Sequence, residues 1–439
     1  MKQTVSAAEF TPQETQLLQR LRQQPALLPR LHRLLALADA ATGLLRTADA
    51  VEALLVLELR QLGTTTLHPW AIQAEVRGSA ELRAADATVR RRKKKPLPWW
   101  SVFGLVRVPD RVWRSASQRY LRPWPARLGV TSRGRSQSLA RALPDFGIDH
   151  SLARAAARVQ EHYGFTIGVS AVRAATLEHA QRARAQLATQ YAQPFRELPA
   201  VGAAQVIAEA DGTMICTVQP GPRKDPRPRQ WQEMRLVAAQ AKDRVTTGYG
   251  ATFGSVTETG RRWDHVTRAA GWGLNRRIHT VGDGAEWIQL QGRAVFGGQG
   301  HCLCDFFHVS EYLGAAAPSC RPARPQAGRR TQQQRLKRRA VPLVLAALGD
   351  PLEGPPLADE DAPVRSAQRY LNNRLTCLDY PGALALGWPI GSGMLESGHR
   401  HVLHARLKQA GTAWLPEHAD QLAHWRVLRA NDQWLSRWN

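Results

Sequence analysis

Three carboxylates in this chain of 439 residues occupy positions that acids seldom take. Asp211 interrupts the apolar run VIAEADGTMICTV, where a charge is costly unless it is paired or binds a metal. Asp283 follows the apolar run IHTVG inside Gly-Asp-Gly, and its small neighbours let a ligand approach the backbone. Glu396 falls in the first turns of a helix that we expect to begin at Ser392 and to end near Gly411.

Each acid alone has an ordinary explanation, and the joint pattern is more informative. Asp-Gly is frequent in turns, and a helical Glu usually faces solvent beside a basic i+4 residue, here Arg400. Three carboxylates that converge cannot all stay ionised at close range without a cation. Because oxygen ligands suit Mg²⁺ or Mn²⁺ better than zinc, the sequence predicts a divalent metal site formed by Asp211, Asp283 and Glu396.

The elements that would position these acids follow from the hydrophobic periodicity. From Val206 onward the pattern predicts three strands, a helix, a strand, a helix, a strand and a helix. In an RNase H-like sheet the first and fourth strands are adjacent, which would bring Asp211 beside Asp283. The predicted fold class is therefore an α/β catalytic core of RNase H-like type with a mixed five-stranded sheet. A mainly α-helical N-terminal DNA-binding region and an α-helical insertion complete the prediction.

The composition along the chain predicts six regions, with a Pro- and acid-rich linker at 349–364 inside one of them. They are an N-terminal helical region (1–90), a basic arm and β-hairpin turning around Pro109-Asp110 (91–130), a helical region with a helix-turn-helix pattern (131–195), the first part of the core (200–315), a helical insertion (316–390), and the Glu396 helix with C-terminal helices (391–439).

The charge balance predicts a polyanionic partner. The chain has 60 Lys and Arg against 36 Asp and Glu, a net charge of +24, and nucleic acid is the commonest partner of so basic a protein. The run RRRKKK favours DNA contact slightly over a solvated linker; its residues are Arg90, Arg91, Arg92, Lys93, Lys94 and Lys95.

A helix at 151–162, a turn with two glycines and a second helix from about Ser170 match helix-turn-helix spacing. Ser170, Arg173 and Arg182 would be its DNA contacts, although a plain helical hairpin has the same pattern.

Several classes of protein are excluded by simple features of the sequence. No apolar run approaches the roughly 18 residues of a membrane span, and the first residues, MKQTVSAAEFTPQ, lack a signal-peptide pattern. Five cysteines without a CxxC pair argue against a disulfide scaffold and a four-cysteine zinc site. We therefore expect reduced thiols and a cytoplasmic, nucleoid-associated protein. Zinc on His301, Cys302, Cys304 and His308 is an alternative that the CxC spacing disfavours.

Several stretches resemble the DDE transposases of bacterial insertion sequences, closest to the ISKra-type group and more distantly the Mutator-like enzymes. They are ADGT (210–213), GDGAEWI (282–288), CDFFHVSEYL (304–313) and, within 370–414, YLNNRL and GWPIGSGMLESGHRHVLHARLKQAGTAW. The resemblance implies that Asp211, Asp283 and Glu396 are the catalytic triad and hold two Mg²⁺ or Mn²⁺ ions. It also implies accessory roles for Asp305 and His308, and DNA contacts by Arg400, Arg406 and Lys408.

The same resemblance implies binding of terminal inverted repeats, two-metal-ion phosphodiester cleavage and strand transfer, by a homodimer or higher oligomer on DNA. Relatives often carry a pair of cysteines after the N-terminal hairpin, and this chain has none in RSASQRYLRPW (114–124), so no structural zinc is expected there. Three alternatives stay open: Asp305 as the third ligand, a domesticated DNA-binding protein without catalysis, and a structure-selective RNase H-like nuclease.

Overall fold

The computed structural model describes residues 10–39, 47–123, 134–193, 197–221, 227–349, 353, 358 and 361–434, without the side chains of 93–96 and 109. The chain forms two compact units, Met1–Thr176 and Leu177–Asn439. The end of the predicted hairpin region and most of the predicted linker at 349–364 lie outside the described residues.

Three helices open the first unit: α1 (Pro12–Gln23), α2 (Leu28–Ala38) and α3 (Ala48–Ala85). Helix α1 begins at a capping box in which Thr11 and Glu14 satisfy each other's backbone N–H groups. Helix α3 is 38 residues long, and it buries one narrow stripe of small and polar residues, namely Ala71, Glu75, Gly78 and Ser79. Their spacing of three to four residues follows one face of a helix.

A β-hairpin packs on this stripe of α3. Its strands are β1 (Arg90–Ser101) and β2 (Gly104–Arg114), and the short strand β3 (Tyr120–Leu121) pairs with β2. The basic run at 90–95 therefore lies in a strand and not in the arm that the sequence predicts. The side chains of Lys93, Lys94 and Lys95 are outside the described part. The hairpin turns at Val102-Phe103, where Gly104 has a φ of +115°.

The predicted turn at Pro109-Asp110 is wrong. Both residues lie within β2, opposite Pro96 and Lys95 of β1. The Asp110 side chain is fully buried, and its carboxylate accepts a hydrogen bond of 2.5 Å from Nε of Arg122. A buried charge is tolerated when it is paired in this way. Burial nevertheless affects the pKa of Asp110 more than the pairing with Arg122 does, and it raises this pKa.

The helix-turn-helix pattern corresponds to two real helices, preceded by α4 (Gln137–Asp149). They are α5 (Leu152–Tyr163) and α6 (Val169–Ala192). Helix α5 ends at Gly164, whose φ of +75° is the left-handed conformation that glycine adopts most readily. A small apolar core joins these helices; it comprises Leu139, Leu143, Ala155, Val159, Ile167, Val172 and Ala175.

The second unit is built on a mixed five-stranded sheet, as the sequence predicts. Its strands are β4 (Val206–Val218), β5 (Arg229–Ala241), β6 (Gly248–Thr252), β7 (Ile278–Gly282) and β8 (Gly300–Cys304). They lie in the order β6-β5-β4-β7-β8. The first three are antiparallel neighbours, and β7 and β8 run parallel to β4. The first and fourth strands of this unit are therefore adjacent.

Helices cover the sheet and form the insertion. Helices α7 (Val256–Ala269) and α8 (Glu286–Phe296) share an apolar core with β4, β5 and β7. After β8 come α9 (Phe306–Cys320), α10 (Pro325–Leu336), α11 (Val341–Gly349), α12 (Pro363–Asn372) and α13 (Tyr380–Ala385), which enclose a second core. Helix α14 (Gly393–Gly398), a π-helical segment (His399–His404) and α15 (Ala405–Leu407) follow without a break. Helix α16 (Pro416–Ala430) ends the described fold.

One expectation about the cysteines is wrong. Cys302 of β8 and Cys377, near the end of the insertion, form a disulfide with Cα atoms 5.0 Å apart. The two residues are 75 positions apart in the chain, so no local spacing signals the pair. Cys216, Cys304 and Cys320 take no part in this disulfide. Within the described ranges, no helix combines the length and the apolar character that crossing a bilayer requires.

Candidate active site

Asp211 and Asp283 are neighbours across two parallel strands. Strand β7 pairs with β4 at an offset of 72 residues, with Val206 opposite Ile278, and the same offset relates Asp211 to Asp283. Asp211 lies in the middle of the long strand β4, whereas Asp283 is the first residue after the short strand β7. Asp283, at the carboxyl end of β7, therefore lies beside Asp211 of β4.

The backbones of the two strands approach closely at this point. A Cβ on Gly282 would lie only 2.9 Å from the carbonyl oxygen of Ala210, so a larger residue would push the strands apart. The Asp283 carboxylate accepts a hydrogen bond of 2.8 Å from the backbone N–H of Ala285. Burial raises the pKa of Asp283; the Ala285 N–H lowers it, and the nearby charge of Asp211 raises it further. The two acids thus repel each other across the strands.

Glu209 is a third acid of this region, and the sequence analysis missed it. It lies two residues before Asp211 and so on the same face of β4. Its side chain is 2% exposed, and its Oε2 accepts a hydrogen bond of 2.7 Å from the backbone N–H of Leu395 in α14. Burial raises the pKa of Glu209 to about 8, although the N–H groups of Leu395 and Met394 lower it. The alternation Glu-Ala-Asp within an apolar strand is the sequence pattern that would have indicated a second acid on the same face as Asp211.

Asp305 caps helix α9 and holds the segment before α14. Its Oδ1 accepts the backbone N–H groups of Phe307 and His308, at 2.6 and 3.1 Å. Its Oδ2 accepts the backbone N–H and the hydroxyl of Ser392, at 2.7 and 2.5 Å. A carboxylate offers about four lone-pair positions, and these four donors use all of them. Asp305 is therefore a structural cap, and a metal ligand at this position would have to break these bonds.

Glu396 lies on α14, the helix that Glu209 and Asp305 attach to the sheet. Its side chain is exposed, and its backbone N–H donates to the carbonyl of Ser392 at 3.1 Å. Within the part of the chain that the structure describes, no three His, Cys, Asp or Glu side chains are grouped closely enough to hold a metal ion. Glu396 thus faces solvent, directly after Leu395, the residue at which Glu209 attaches α14.

Two histidines after Glu396 face the same side of β4. Nε2 of His399 lies 3.1 Å from Oδ2 of Asp211, a close contact without the alignment of a hydrogen bond. Nε2 of His404 lies 2.9 Å from the hydroxyl of Thr213. The rings stack with centroids 5.4 Å apart. Burial lowers the pKa of His404 to about 4, with smaller contributions from Lys408 and His399.

The insertion holds the loop that carries Asp283. Tyr370 of α12 donates its hydroxyl hydrogen to the carbonyl oxygen of Asp283. Arg374 donates from Nε to the carbonyl of Gly284 at 2.6 Å, and its guanidinium lies 3.9 Å from the centre of the Tyr370 ring. His308 contacts the same tyrosine, at 5.9 Å between ring centres. His308 and Tyr370 therefore connect the start of α9 to the insertion, beside Asp283.

The basic residues predicted after Glu396 fall into two groups. Arg400 and Lys408 are exposed. Arg406 is only 2% exposed, and its guanidinium lies 4.7 Å from the ring centre of Trp414. Nε1 of Trp414 in turn donates to the carbonyl of Leu407 at 3.0 Å. The predicted DNA contact of Arg406 is therefore wrong for this conformation, because the side chain belongs to the interior.

The two arginines predicted as DNA contacts in the helix-turn-helix lie on different sides of its second helix. Arg173 and Arg182 are both exposed on α6, but nine residues at 100° each place them on opposite sides of the helix. Arg182 is further engaged with Glu178, at 2.7 Å. One groove of DNA cannot receive both side chains from a straight helix. In the hairpin, Arg90, Arg91 and Arg92 are exposed.

Comparison of the chain with protein-family models and with curated proteins gave no match.

Proposed function

We propose that the protein is a DNA transposase of the DDE type with an RNase H-like core, in which Asp211, Asp283 and Glu396 are the catalytic carboxylates. The observation that carries the proposal is the register of β4 and β7, which makes Asp211 and Asp283 neighbours across parallel strands. The strand order, with the first and fourth strands of the unit adjacent and the second antiparallel, also supports it.

The donor chemistry of the two aspartates fits Mg²⁺ or Mn²⁺. One oxygen of Asp283 accepts the Ala285 N–H, and one oxygen of Asp211 accepts the Gly212 N–H, so each carboxylate keeps oxygen lone pairs for a hard cation. The mutual repulsion that raises the pKa of Asp283 is the kind that a divalent cation relieves. Asp211, Asp283 and Glu396 would hold the ions, and Glu396 would approach from α14.

Bound divalent cations would activate the attacking oxygen and stabilise the leaving oxygen of a phosphodiester. The protein would supply the rest. Glu209 and Asp305 fix the start of α14 against the sheet, while Tyr370 and Arg374 fix the Asp283 loop. His399 would orient the Asp211 carboxylate. Such an arrangement limits the motion of the acids, which is what positioning of a scissile phosphate requires.

DNA is the partner that we propose, with the ends of a mobile element as substrate and a second DNA as target. A net charge of +24 supports this choice. Exposed basic residues occur in both units, with Arg90, Arg91, Arg92 and Arg173 in the first and Arg400 and Lys408 in the second. Joining two DNA ends requires at least a homodimer, and cytoplasmic, nucleoid-associated location would follow.

Substitution of the three acids tests the proposal. Asp211→Asn, Asp283→Asn and Glu396→Gln should each abolish Mg²⁺-dependent cleavage of DNA carrying the element ends and leave DNA binding intact, since amides ligate cations weakly and keep the side-chain shape. The matched control is Glu417→Gln, a first-turn acid of α16 remote in sequence from the three acids. Near wild-type cleavage by any one of the three variants would remove that residue from the site. Wild-type cleavage of plasmids without element ends would instead favour a structure-selective nuclease.

A further inference from the structure

An open groove of about 440 Å³ lies directly beside the Asp283 loop. One wall is a face of α8, on which Glu286, Gln289, Leu290 and Arg293 recur at helical spacing. The opposite wall is the end of the insertion, with Asn373 and Arg374, and Gly284 lies at the inner end. All of these residues belong to the second unit.

The chemistry of the walls is mixed in a specific way. Leu290 is an apolar side chain left 54% exposed in the α8 wall of the groove. Asn373, exposed beside it, offers both a donor and an acceptor. The Arg293 side chain is exposed and has no ion pair or hydrogen bond to any described residue, whereas Glu286 adds an exposed carboxylate to the lining that would repel a phosphate. Exposed apolar surface, an amide and an unpaired guanidinium are the groups that contact the face, the edge and the phosphate of a nucleotide.

Arg374 is already oriented toward such a ligand. Nε and Nη1 donate to the carbonyls of Gly284 and Tyr370, and the Tyr370 ring supports the plane of the guanidinium. Nη2 makes no hydrogen bond within the described chain. Because Nε and Nη1 already hold the Arg374 guanidinium in place, Nη2 would bind an anion without further loss of side-chain conformational freedom.

We propose that this groove holds one unpaired nucleotide of the DNA strand whose scissile phosphate lies at Asp283, an inference that rests on the function proposed above. The volume lies within the roughly 300–1,000 Å³ of sites that hold small molecules, and a duplex is far too wide to enter. Leu290 contacts the base, Asn373 reads its edge, and Arg293 with Arg374 binds the flanking phosphate.

Photo-crosslinking with the full chain tests this assignment without needing the element sequence. The probe is a ten-residue oligothymidylate with one 4-thiothymine, used without divalent metal, beside the same strand in a fully paired duplex. The single strand should crosslink to peptides covering 286–293 or 370–375, and the duplex should not. Leu290→Ala and Arg293→Ala should each lower this yield severalfold, because the first removes apolar contact with the base and the second removes a phosphate contact. Arg261→Ala removes an exposed arginine of α7 outside the groove and should leave the yield unchanged.

The outcomes separate the two proposals. Three results would overturn the groove assignment and leave the catalytic proposal intact. The first is that crosslinks form only elsewhere in the chain, and the second is that the duplex crosslinks to the groove as well as the single strand does. The third is an unchanged crosslinking yield in Arg293→Ala. Asp283→Asn should keep the groove crosslink, because that carboxylate contributes nothing to binding the base. If Asp283→Asn cleaves element ends like the wild type and the crosslink persists, the groove stands as a nucleotide site and the catalytic proposal fails.

Discussion

At the scale of single residues, the buried acids near the site are attachment points. The first backbone N–H groups of a helix have no partner within the helix. In α14 they are satisfied by a side chain from the sheet, because Glu209 accepts from Leu395 and Met394. Asp305 does the same for Ser392 just before the helix. Two carboxylates therefore fix the element that carries Glu396, and they leave Asp211 and Asp283 available for a ligand.

Two replacements of Glu209 should show whether its hydrogen-bond acceptor or its negative charge matters for stability and cleavage. Glu209→Ala removes an acceptor from two N–H groups of α14, of which the Leu395 N–H keeps a bond of 3.1 Å to the carbonyl of Ser392. The loss for the Met394 N–H costs about 1–3 kcal/mol, and the variant should slow cleavage by displacing Glu396. Glu209→Gln keeps a carbonyl oxygen and resembles the protonated acid that prevails below a pKa of about 8. It should retain stability and most of the activity. Urea unfolding and single-turnover cleavage measure both effects; an alanine variant as active and stable as the wild type would contradict this role.

His279 is a buried residue whose protonation should set part of the pH dependence of stability. Its Nε2–H donates to the carbonyl of Pro389 at 2.7 Å, and its Nδ1 lies 3.2 Å from Nδ1 of His301. The ring also stacks on Trp388, with centres 4.6 Å apart. Burial lowers the pKa of His279 from 6.5 to about 4, although the bond to Pro389 opposes the change. The folded chain therefore keeps this imidazole neutral where the unfolded chain binds a proton.

The sign of the effect follows from that difference. Below pH 6.5 the unfolded state takes up a proton that the folded state refuses, so stability falls as the pH is lowered from 6.5 to 4, by up to about 3 kcal/mol. Above pH 6.5 the contribution is constant. His279→Gln removes the titration, so the difference between urea midpoints at pH 7 and pH 5 should shrink. An unchanged difference would show that the histidine titrates normally in the fold.

At the scale of elements, the π-helical segment keeps one side of the chain facing β4. Leu395, His399 and His404 contact Glu209, Asp211 and Thr213 in turn. These strand residues alternate by two, so they share a face. In an α-helix, residue 404 would lie half a turn away from residue 395. The wider π turn brings His404 back above His399, and single π turns of this kind are often found at functional sites.

The contact between the insertion and the Asp283 loop gives a prediction with a matched control. Tyr370→Phe removes the hydroxyl that donates to the Asp283 carbonyl and keeps the ring against Arg374. It should cost about 0.5–1.5 kcal/mol of stability and slow cleavage without changing DNA affinity. Tyr312 stacks on Tyr370 at 4.1 Å, and its hydroxyl has no hydrogen bond to a described residue. Tyr312→Phe should therefore cleave at the wild-type rate; equal losses in both variants would indicate general destabilisation.

What the sequence predicts depends on how local each signal is. The succession of strands and helices in the second unit follows from apolar runs and turns, whereas the neighbouring acids follow only when an RNase H-like order of strands in the sheet is assumed. The turn at Pro109-Asp110 fails because Asp110 is paired with Arg122, a contact that no local pattern shows. Glu209 was overlooked because its role depends on backbone N–H groups 186 positions away. The Cys302–Cys377 disulfide likewise needs the fold before the cysteines become neighbours.

At the scale of the whole molecule, not every positive charge is available to a polyanion. Arg406 is buried against Trp414, Arg122 is paired with the buried Asp110, and Arg182 is paired with Glu178. Arg400 and Lys408 remain exposed beside the proposed site. The net charge of +24 therefore overstates the number of contacts that a DNA partner could make.

DNA binding should depend steeply on salt. The slope of the logarithm of the binding constant against the logarithm of the salt concentration should distinguish exposed basic residues from buried ones. Each neutralised phosphate contributes a slope of about −0.9, so ten contacts would cost about 10⁵ in affinity between 50 and 200 mM salt. Arg400→Ala and Lys408→Ala should each make the slope shallower by about 0.9, since each removes one exposed cation. Arg406→Ala should leave the slope unchanged and lower the urea midpoint, because its guanidinium packs inside the protein. Fluorescence anisotropy with a labelled duplex measures all three slopes. A flat titration of the wild type would refute DNA as the partner, and a shallower slope for Arg406→Ala would mean that this side chain leaves the interior when DNA binds.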